Sequence, residues 1–359
     1  MATSRGRVFP LALAGREADR ARRWQGRWLE VAGFGPKETP SRAVDVAPGV
    51  RLRSYGGGER PGAATLLLVP APIKRAYIWD LRPPVSVVRR CLEAGHAVYL
   101  AEWREPGPGQ QDWGLACYAD RFLEACLDAI AAEQDRTQPF LLGHSLGGTL
   151  AALFASLRPD RVTGLLLIEA PLKFGPDAGA FVPLLASAPP AGALAAALGG
   201  APGVLLTAVS GAAAPEEFLW WRWRDAVRSL GDLEAATTHL TVMRWTLDEF
   251  AQPARLFTEV VEELYRGDRF ALGTLKLAGR PALPARLAGL PIAAVVEPDG
   301  RLVTPASALA PLPAFERFDY TGEVGVALKH LGALVGRRAH AELWPRLLAW
   351  LERHAPAVP

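Results

Sequence analysis

The sequence predicts an α/β fold in which a mostly parallel, doubly wound sheet carries an inserted helical cap. Short apolar runs of strand length alternate with longer helical patterns, as they do in parallel sheets covered by helices on both faces. A stretch rich in Ala, Pro and Gly interrupts this alternation from residue 171 onward, and strand-like runs resume near residue 291. Because the core continues on both sides of the interruption, we interpret it as a cap rather than an independent domain.

The alternating elements can be placed in order along the chain. Strand-like apolar runs occupy residues 65–69, 96–101, 139–142, 162–170, 291–296 and 315–320. Helical patterns occupy residues 85–94, 115–132, 148–157 and 339–353. The chain is thereby divided into an N-terminal helical extension (1–45), a first core part (46–170), the cap (171–275) and a second core part (276–359).

Composition and charge exclude some classes of function. The 40 basic and 37 acidic side chains give a formal net charge of +3 without forming a basic block, which argues against nucleic acid as a partner. The first residues show no apolar run followed by a small-residue cleavage site, so we expect a cytoplasmic protein. The three cysteines form no CxxC pair, and we expect them to be reduced.

An Arg-rich segment near the N-terminus has two interpretations. Five arginines could lie along one helix beside Trp24 and Trp28, namely Arg16, Arg20, Arg22, Arg23 and Arg27. Such a helix commonly packs on the body through its tryptophans and leaves its arginines in solvent. Alternatively, the same residues could hold the protein at a membrane or granule surface.

The strongest local signal is the sequence Gly143-His144-Ser145-Leu146-Gly147, which lies between a predicted strand and a small-residue helix. A serine in such a strand-to-helix turn is held out at the carboxyl edge of the sheet, and the flanking glycines let the strand and helix approach closely. This context is that of the nucleophile in the α/β-hydrolase fold. The sequence therefore predicts Ser145 as the nucleophile of an acyl-transfer or hydrolysis reaction.

A serine nucleophile requires a general base and a group that orients this base. In this fold the residues follow in the order serine, acid, histidine. We predict His330, which lies beyond the last strand-like run, as the base in preference to His340 on the final helix. We predict Asp299, directly after the run at 291–296, as the acid in preference to Asp319.

The backbone around the serine should also supply an oxyanion hole. The amide of Leu146 begins the helix after Ser145 and is the first predicted donor. The second should come from the loop after the run at 65–69, where Pro70 and Pro72 have no N–H, and we favour Ile73.

Beyond the motif, several stretches resemble the polyhydroxyalkanoate (poly-3-hydroxybutyrate) synthase family, whose members polymerise 3-hydroxyacyl groups from coenzyme A thioesters. These stretches are LLLVPAPIKRAYIWDL (66–81), GHAVYLAEW (95–103), GHSLGGTLAA (143–152), the cap segment 245–273 and the segment 291–305 around Asp299. The resemblance implies the α/β-hydrolase fold, a Ser-His-Asp arrangement of Ser145, His330 and Asp299, and a cysteine in the family where this chain has Ser145. It also makes a granule surface, a partner subunit and a second copy of the chain candidate partners.

From these observations the sequence predicts a serine hydrolase that cleaves carboxylic esters or thioesters, including 3-hydroxyacyl substrates, through an acyl-serine intermediate. Hydrolysis is preferred to polymerisation for a chemical reason. The thiol of the family is a stronger nucleophile than the hydroxyl of Ser145, and an acyl-serine is an ordinary ester, which water hydrolyses. The first alternative is a synthase-like acyltransferase that uses 3-hydroxyacyl coenzyme A, and the second is a non-catalytic module that binds granules or a synthase. No organic cofactor and no metal are expected, since no cluster of residues has metal-ligand spacing.

Overall fold

The computed structural model of the chain describes residues 10–356, apart from residues 59, 61, 135–137 and 249. Residues 1–9 of the predicted N-terminal extension lie outside the described residues. The strands are β1 (Arg42–Ala47), β2 (Val50–Ser54), β3 (Thr65–Val69), β4 (Ala97–Trp103), β5 (Phe140–His144), β6 (Gly164–Ile168), β7 (Lys276–Leu277), β8 (Arg280–Pro281), β9 (Ile292–Val296) and β10 (Glu316–Asp319).

The α-helices of the described residues alternate with these strands in the core and accumulate in the insertion. They are α1 (Pro10–Leu29), α2 (Val87–Glu93), α3 (Phe122–Glu133), α4 (Leu146–Leu157), α5 (Phe181–Ser187), α6 (Ala191–Leu198), α7 (Gly203–Ala213), α8 (Arg222–Ser229), α9 (Leu233–Thr246), α10 (Ala254–Glu259), α11 (Pro305–Leu309), α12 (Gly332–Val335) and α13 (Trp344–His354). Wider π-helical turns extend several of them, at Glu30–Phe34, Cys117–Arg121, Glu216–Trp221, Val260–Arg266 and Ala339–Leu343. Short 3₁₀ turns lie at Ala76–Trp79, Pro83–Val85, Pro108–Gln110, Pro159–Arg161, Pro284–Leu287 and Lys329–Leu331.

Eight strands form one sheet in the order β1-β2-β4-β3-β5-β6-β9-β10. The six strands from β4 to β10 in this order run parallel, whereas β1 and β2 add an antiparallel edge. The residues of β3, β5, β6 and β9 are all buried, as expected where helices cover both faces of a parallel sheet. The predicted mostly parallel α/β fold is therefore confirmed.

The alternation of side chains along the central strands builds a separate core on each face of the sheet. In β3, Leu67 and Val69 pack with Phe122 and Leu150 on one face. Leu66 and Leu68 pack on the opposite face, with a cluster that includes helix α13. Because the six strands from β4 to β10 run parallel, their carboxyl ends meet at one edge of the sheet, where open α/β sheets build their sites.

The N-terminal helix packs on the insertion, but not through its tryptophans. Asp19 of α1 accepts hydrogen bonds from the amides of Gly203 and Val204 at the start of α7, at 2.9 and 2.6 Å. Trp24 and Trp28 are more than half exposed and contact each other edge to face, with ring centroids 5.6 Å apart. The prediction that these tryptophans pack the helix on the body is therefore wrong.

Among the described helices, no single one is long and apolar enough to cross a membrane. The pair α5 and α6 reaches that length and composition only when counted together, and the two helices are bent by 79° relative to each other.

Candidate active site

Ser145 occupies the turn between β5 and α4, in a backbone conformation that few side chains adopt. Its φ is 55° and its ψ is −132°, outside the regions that non-glycine residues normally populate. The turn is possible because a Cβ at Gly143 would overlap the backbone of Gly148, and a Cβ at Gly147 would overlap the carbonyl oxygen of Val69. The strain and close packing together lift the hydroxyl to the carboxyl edge of the sheet.

His330 lies in the 3₁₀ turn Lys329–Leu331, beyond the end of β10, and lines the same cavity as Ser145. The cavity has a volume of about 210 Å³. The Nε2 atom of His330 is buried and has no hydrogen-bond partner among the described residues. The fold thus brings the predicted nucleophile and the predicted base from distant parts of the chain into one cavity, with one ring nitrogen of the base unpaired.

The acid beside His330 is Glu169, not the predicted Asp299. Glu169 directly follows β6, is 4% exposed, and its Oε2 lies 2.8 Å from His330 Nδ1. Its φ of 43° is one of the few positive values at a non-glycine residue in the described chain. Asp299 is exposed on the turn after β9 and has no hydrogen bond to His330.

The geometry around β9 explains why Asp299 is displaced. The first residue after β9 is Glu297, which is buried and accepts a hydrogen bond from Lys329 Nζ at 2.9 Å. The chain then turns at Pro298 and carries Asp299 to the surface. The rival acid Asp319 is also exposed, and it pairs with Arg317 at 2.6 Å.

Sequence reasoning could have found Glu169. It follows an all-apolar strand just as Ser145 follows β5, and it satisfies the order serine, acid, histidine. The choice of Asp299 depended on the more usual position of the acid after a later strand, which the chain order alone does not require.

Burial sets the protonation of the pair. Desolvation lowers the pKa of His330 to about 4, so the imidazole is neutral near pH 7. Desolvation, and then the charge of Glu297, raise the pKa of Glu169 well above its usual range, while the nearby Lys329 opposes this shift. In the tautomer in which Nδ1 donates the ring proton to an ionised Glu169, Nε2 has a free lone pair that can accept the hydroxyl proton of Ser145.

His144 supports the base from the nucleophile turn. Its Nε2 donates to the backbone carbonyl of His330 at 2.8 Å, and the two rings are 4.4 Å apart between centroids. Desolvation, followed by the repulsion of His330, lowers the pKa of His144 well below its usual value. A neutral His144 therefore fixes the turn of His330 without adding a second positive charge.

The oxyanion donors agree only in part with the predicted pair. The amide of Leu146 is the first of α4 and has no acceptor among the described residues, as the N-terminal amides of a helix generally lack one. The amide of Ile73 donates to the carbonyl of Ala71 at 2.8 Å, which closes a tight turn centred on Pro72. Ile73 is thus engaged, whereas the amide of Ala71 in the same cavity-lining loop has no acceptor among the described residues.

Apolar and aromatic side chains from the insertion form most of the cavity opposite Ser145. They include Phe181, Leu206, Phe218, Trp245 and Tyr265. Trp220 and Trp223 neither line the cavity nor pack the cap, because their side chains are 61% and 64% exposed. Within the described residues, no group of three or more His, Cys, Asp or Glu side chains could hold a metal ion.

Comparisons with known proteins define the class. A profile of the alpha/beta hydrolase fold matches residues 73–199. A putative lipase from Sulfolobus solfataricus superposes with a TM-score of 0.55 at 16% identity, over 88% of this chain and 99% of that one. The enol-lactonase from Burkholderia xenovorans LB400 superposes with a TM-score of 0.51 at 14% identity, over 86% and 99%. The protein is an enzyme of the α/β-hydrolase fold.

The relatives in sequence narrow this class. The poly(3-hydroxyalkanoate) polymerase subunit PhaC of Haloferax mediterranei is 27% identical over 92% of this chain and 68% of its own length. The proteins of the same description from a Synechocystis species and from Thiocystis violacea are 28% and 25% identical, over 89% and 90% of this chain and 85% and 90% of their own lengths. The chain is therefore related to the polyhydroxyalkanoate synthases.

Proposed function

We propose that the protein is an acyltransferase that moves 3-hydroxyacyl groups from thioesters through an acyl-serine at Ser145. The observation that carries this proposal is the buried, unpartnered Nε2 of His330 in the cavity it shares with Ser145, while Glu169 holds Nδ1. The relatives over about 90% of the chain are polymerases, which favours transfer over the hydrolysis that the serine alone suggested.

The proposed reaction has two halves. In the first, His330 Nε2 takes the proton of Ser145 as Oγ bonds to the acyl carbon, the C–S bond breaks, and the thiol leaves with that proton. In the second, the hydroxyl of another hydroxyacyl unit gives its proton to His330 and bonds to the acyl carbon, and the C–O bond to Ser145 breaks as Oγ regains a proton. Leu146 and Ala71 are the proposed amide donors to the oxyanion in each half.

In this proposal the cap favours transfer over hydrolysis. We assign it to residues 171–275, the segment that supplies most of the apolar side chains opposite Ser145. An apolar roof over the acyl-serine disfavours water, because water would lose hydrogen bonds on entering. A hydroxyacyl group can enter with its alkyl part on that surface and its hydroxyl towards His330.

Hydrolysis is the second candidate, and Ser145 itself favours it. An acyl-serine lacks the ready exchange of a thioester, so water that reaches the cavity would release the free acid. Purified protein incubated with 3-hydroxybutyryl coenzyme A separates the two candidates. Transfer predicts oligomer or insoluble polymer as the main product, whereas free 3-hydroxybutyrate alone would establish a hydrolase.

Two variants complete this experiment. Ser145→Ala should abolish both products, and Ser145→Cys should retain transfer if the site is built for acyl exchange. A fluorophosphonate probe gives an independent readout of the nucleophile. If the wild-type protein forms neither product and the probe does not label Ser145, the chain is a non-catalytic binding module and the proposal is wrong.

We further propose that the protein acts in the cytoplasm with a partner subunit, with a granule surface or as a homodimer. The three sequence relatives named above are each described as a polymerase subunit. The insertion also exposes Leu219, Trp220, Trp223, Leu230 and Leu233, which are more than half exposed. Such a concentration of apolar side chains is typical of an interaction surface.

A further inference from the structure

A second cavity lies beside the one that contains Ser145, under the helices of the insertion. Its volume is about 260 Å³, and all of its lining residues are apolar. Four of them, Leu185, Val209, Phe257 and Val261, also line the catalytic cavity, so the two spaces meet at these side chains. We refer to the second space as the side cavity.

We propose that the side cavity binds the alkyl tail of the acyl group while its carbonyl carbon lies at Ser145, so that the substrates are acyl groups with medium-length tails. This inference rests on the proposed acyl-serine function and names its substrate class.

The chemistry of the walls selects the occupant. A polymer strand or the pantetheine arm of a thioester would bring ester or amide groups into a space with no polar side chain, and each unpaired group would cost free energy. The alkyl tail is the one part of such a substrate that carries no hydrogen-bonding group. Burying it against these walls is favourable for every methylene.

The walls are held in place by polar contacts outside the cavity. Arg266 donates to the backbone carbonyls of Leu185 and Pro189, at 2.9 and 3.1 Å. Its partner Glu262, at 3.0 Å, accepts the amide of Ala191 at the start of α6 at 2.8 Å. This ion pair therefore connects the end of α5 with the start of α6, the two helices that form one wall of the cavity.

The outer end of the side cavity is formed by small side chains. Ala208 and Ala212 lie one turn apart on α7, line the cavity and are exposed to solvent. A larger side chain at either position would occupy the space that we assign to the distal methylenes. The substitutions Ala208→Phe and Ala212→Phe therefore test the assignment without removing a contact from the core.

The experiment compares decanoyl with butyryl substrates, as thioesters and as p-nitrophenyl esters. Each methylene excluded from an apolar site lowers binding about fourfold, so excluding three or four should lower the ratio of decanoyl to butyryl kcat/KM on the order of 100-fold. Ala186→Phe is the matched control, because Ala186 is exposed on α5 and lines neither cavity. It should leave the ratio at the wild-type value.

A binding measurement separates this inference from the proposed function. Decanoate is titrated into Ser145→Ala protein with and without Ala212→Phe, which requires no turnover. Weaker decanoate binding in the Phe variant supports the side cavity even if the wild-type protein proves inactive. An unchanged affinity, or an unchanged decanoyl-to-butyryl ratio in an active enzyme, would overturn the assignment.

Discussion

At the level of single residues, two carboxylates compete for the role of orienting His330, and their surroundings differ sharply. Glu169 is buried and hydrogen bonded to Nδ1 at 2.8 Å. Asp299 is exposed on a turn and has no hydrogen bond to the imidazole. An acid that fixes the tautomer and orientation of the base must touch it, so the structure favours Glu169.

We expect Glu169→Gln to slow acylation of Ser145 by roughly 10³- to 10⁴-fold, because the amide can stabilise the wrong tautomer of His330. Asp299→Asn should change the rate by less than about threefold, as a surface substitution away from the reacting groups generally does. The rate of fluorophosphonate labelling at Ser145 measures both. Thermal melting of each variant checks that the fold is intact, and the reverse ranking of the two variants would restore Asp299 as the acid.

At the level of elements, the sequence predicted what the apolar pattern controls. The runs at 65–69 and 291–296 match the central strands β3 and β9, because strands buried on both faces read as continuous apolar segments. The edge strands β1 and β2 were missed, and β1 begins inside the predicted N-terminal helical extension. Charged side chains such as Arg51 and Arg53 alternate along these strands, and they resemble exposed loop sequence.

The parts of the site that sequence reasoning missed depend on local backbone geometry. The apolar pattern places Ser145 and Glu169 equally well at strand ends, but only the fold shows which acid reaches His330. The engagement of the Ile73 amide likewise follows from a tight turn centred on Pro72, which residue types alone do not specify. Spacing and chain order therefore singled out Ser145 and His330, which the fold places in one cavity, whereas the contact of Glu169 with His330 and the engagement of the Ile73 amide are visible only in the structure.

The burial of His340, just before the last helix, can be tested through the pH dependence of the free energy of unfolding. His340, which the sequence places on the final helix, is only 3% exposed, and its Nε2 donates to the carbonyl of Leu334 at 2.8 Å. Desolvation lowers its pKa to about 4. The unfolded chain therefore binds the extra proton more readily between about pH 6.5 and 4, and the free energy of unfolding falls as the pH drops through that window.

In His340→Gln the free energy of unfolding should fall less as the pH drops. The contribution of His340 at pH 5 is about 2 kcal/mol, since one pKa unit corresponds to about 1.4 kcal/mol. The difference in unfolding free energy between pH 7.5 and pH 5 should therefore be about 2 kcal/mol smaller in the variant than in the wild-type protein. Urea denaturation at both pH values measures it. An equal pH dependence in the two proteins would show that the imidazole is not held neutral.

At the level of the whole molecule, the insertion and the catalytic loop are joined by one buried carboxylate. Asp225 of α8 is 1% exposed and accepts the amides of Gly325 and Ala327, at 2.7 and 2.8 Å. It also accepts His239 Nδ1 of α9 at 2.6 Å. The loop that carries His330 is thus held by the cap as well as by the sheet.

This coupling predicts that a change in the cap loosens the base. Ala327 has a φ of 57°, a left-handed conformation that alanine adopts only where surrounding contacts impose it, and it lies three residues before His330. In Asp225→Asn one carboxylate oxygen becomes an amide that cannot accept, so at least one of the three hydrogen bonds is lost. We expect the free energy of unfolding to fall by about 2–4 kcal/mol.

Asp225→Asn should also have a local effect on the loop that carries His330, in addition to the loss of overall stability. Hydrogen exchange of residues 325–331 should accelerate, and labelling of Ser145 by a fluorophosphonate should slow at least about tenfold because the base is no longer held in place. Glu216→Gln is the control, since Glu216 is exposed at the start of the turn that leads into α8. It should alter neither quantity. If Asp225→Asn lowers stability while exchange in 325–331 and labelling stay at wild-type rates, the carboxylate stabilises the cap alone. The position of His330 would then depend on the sheet and on Glu169.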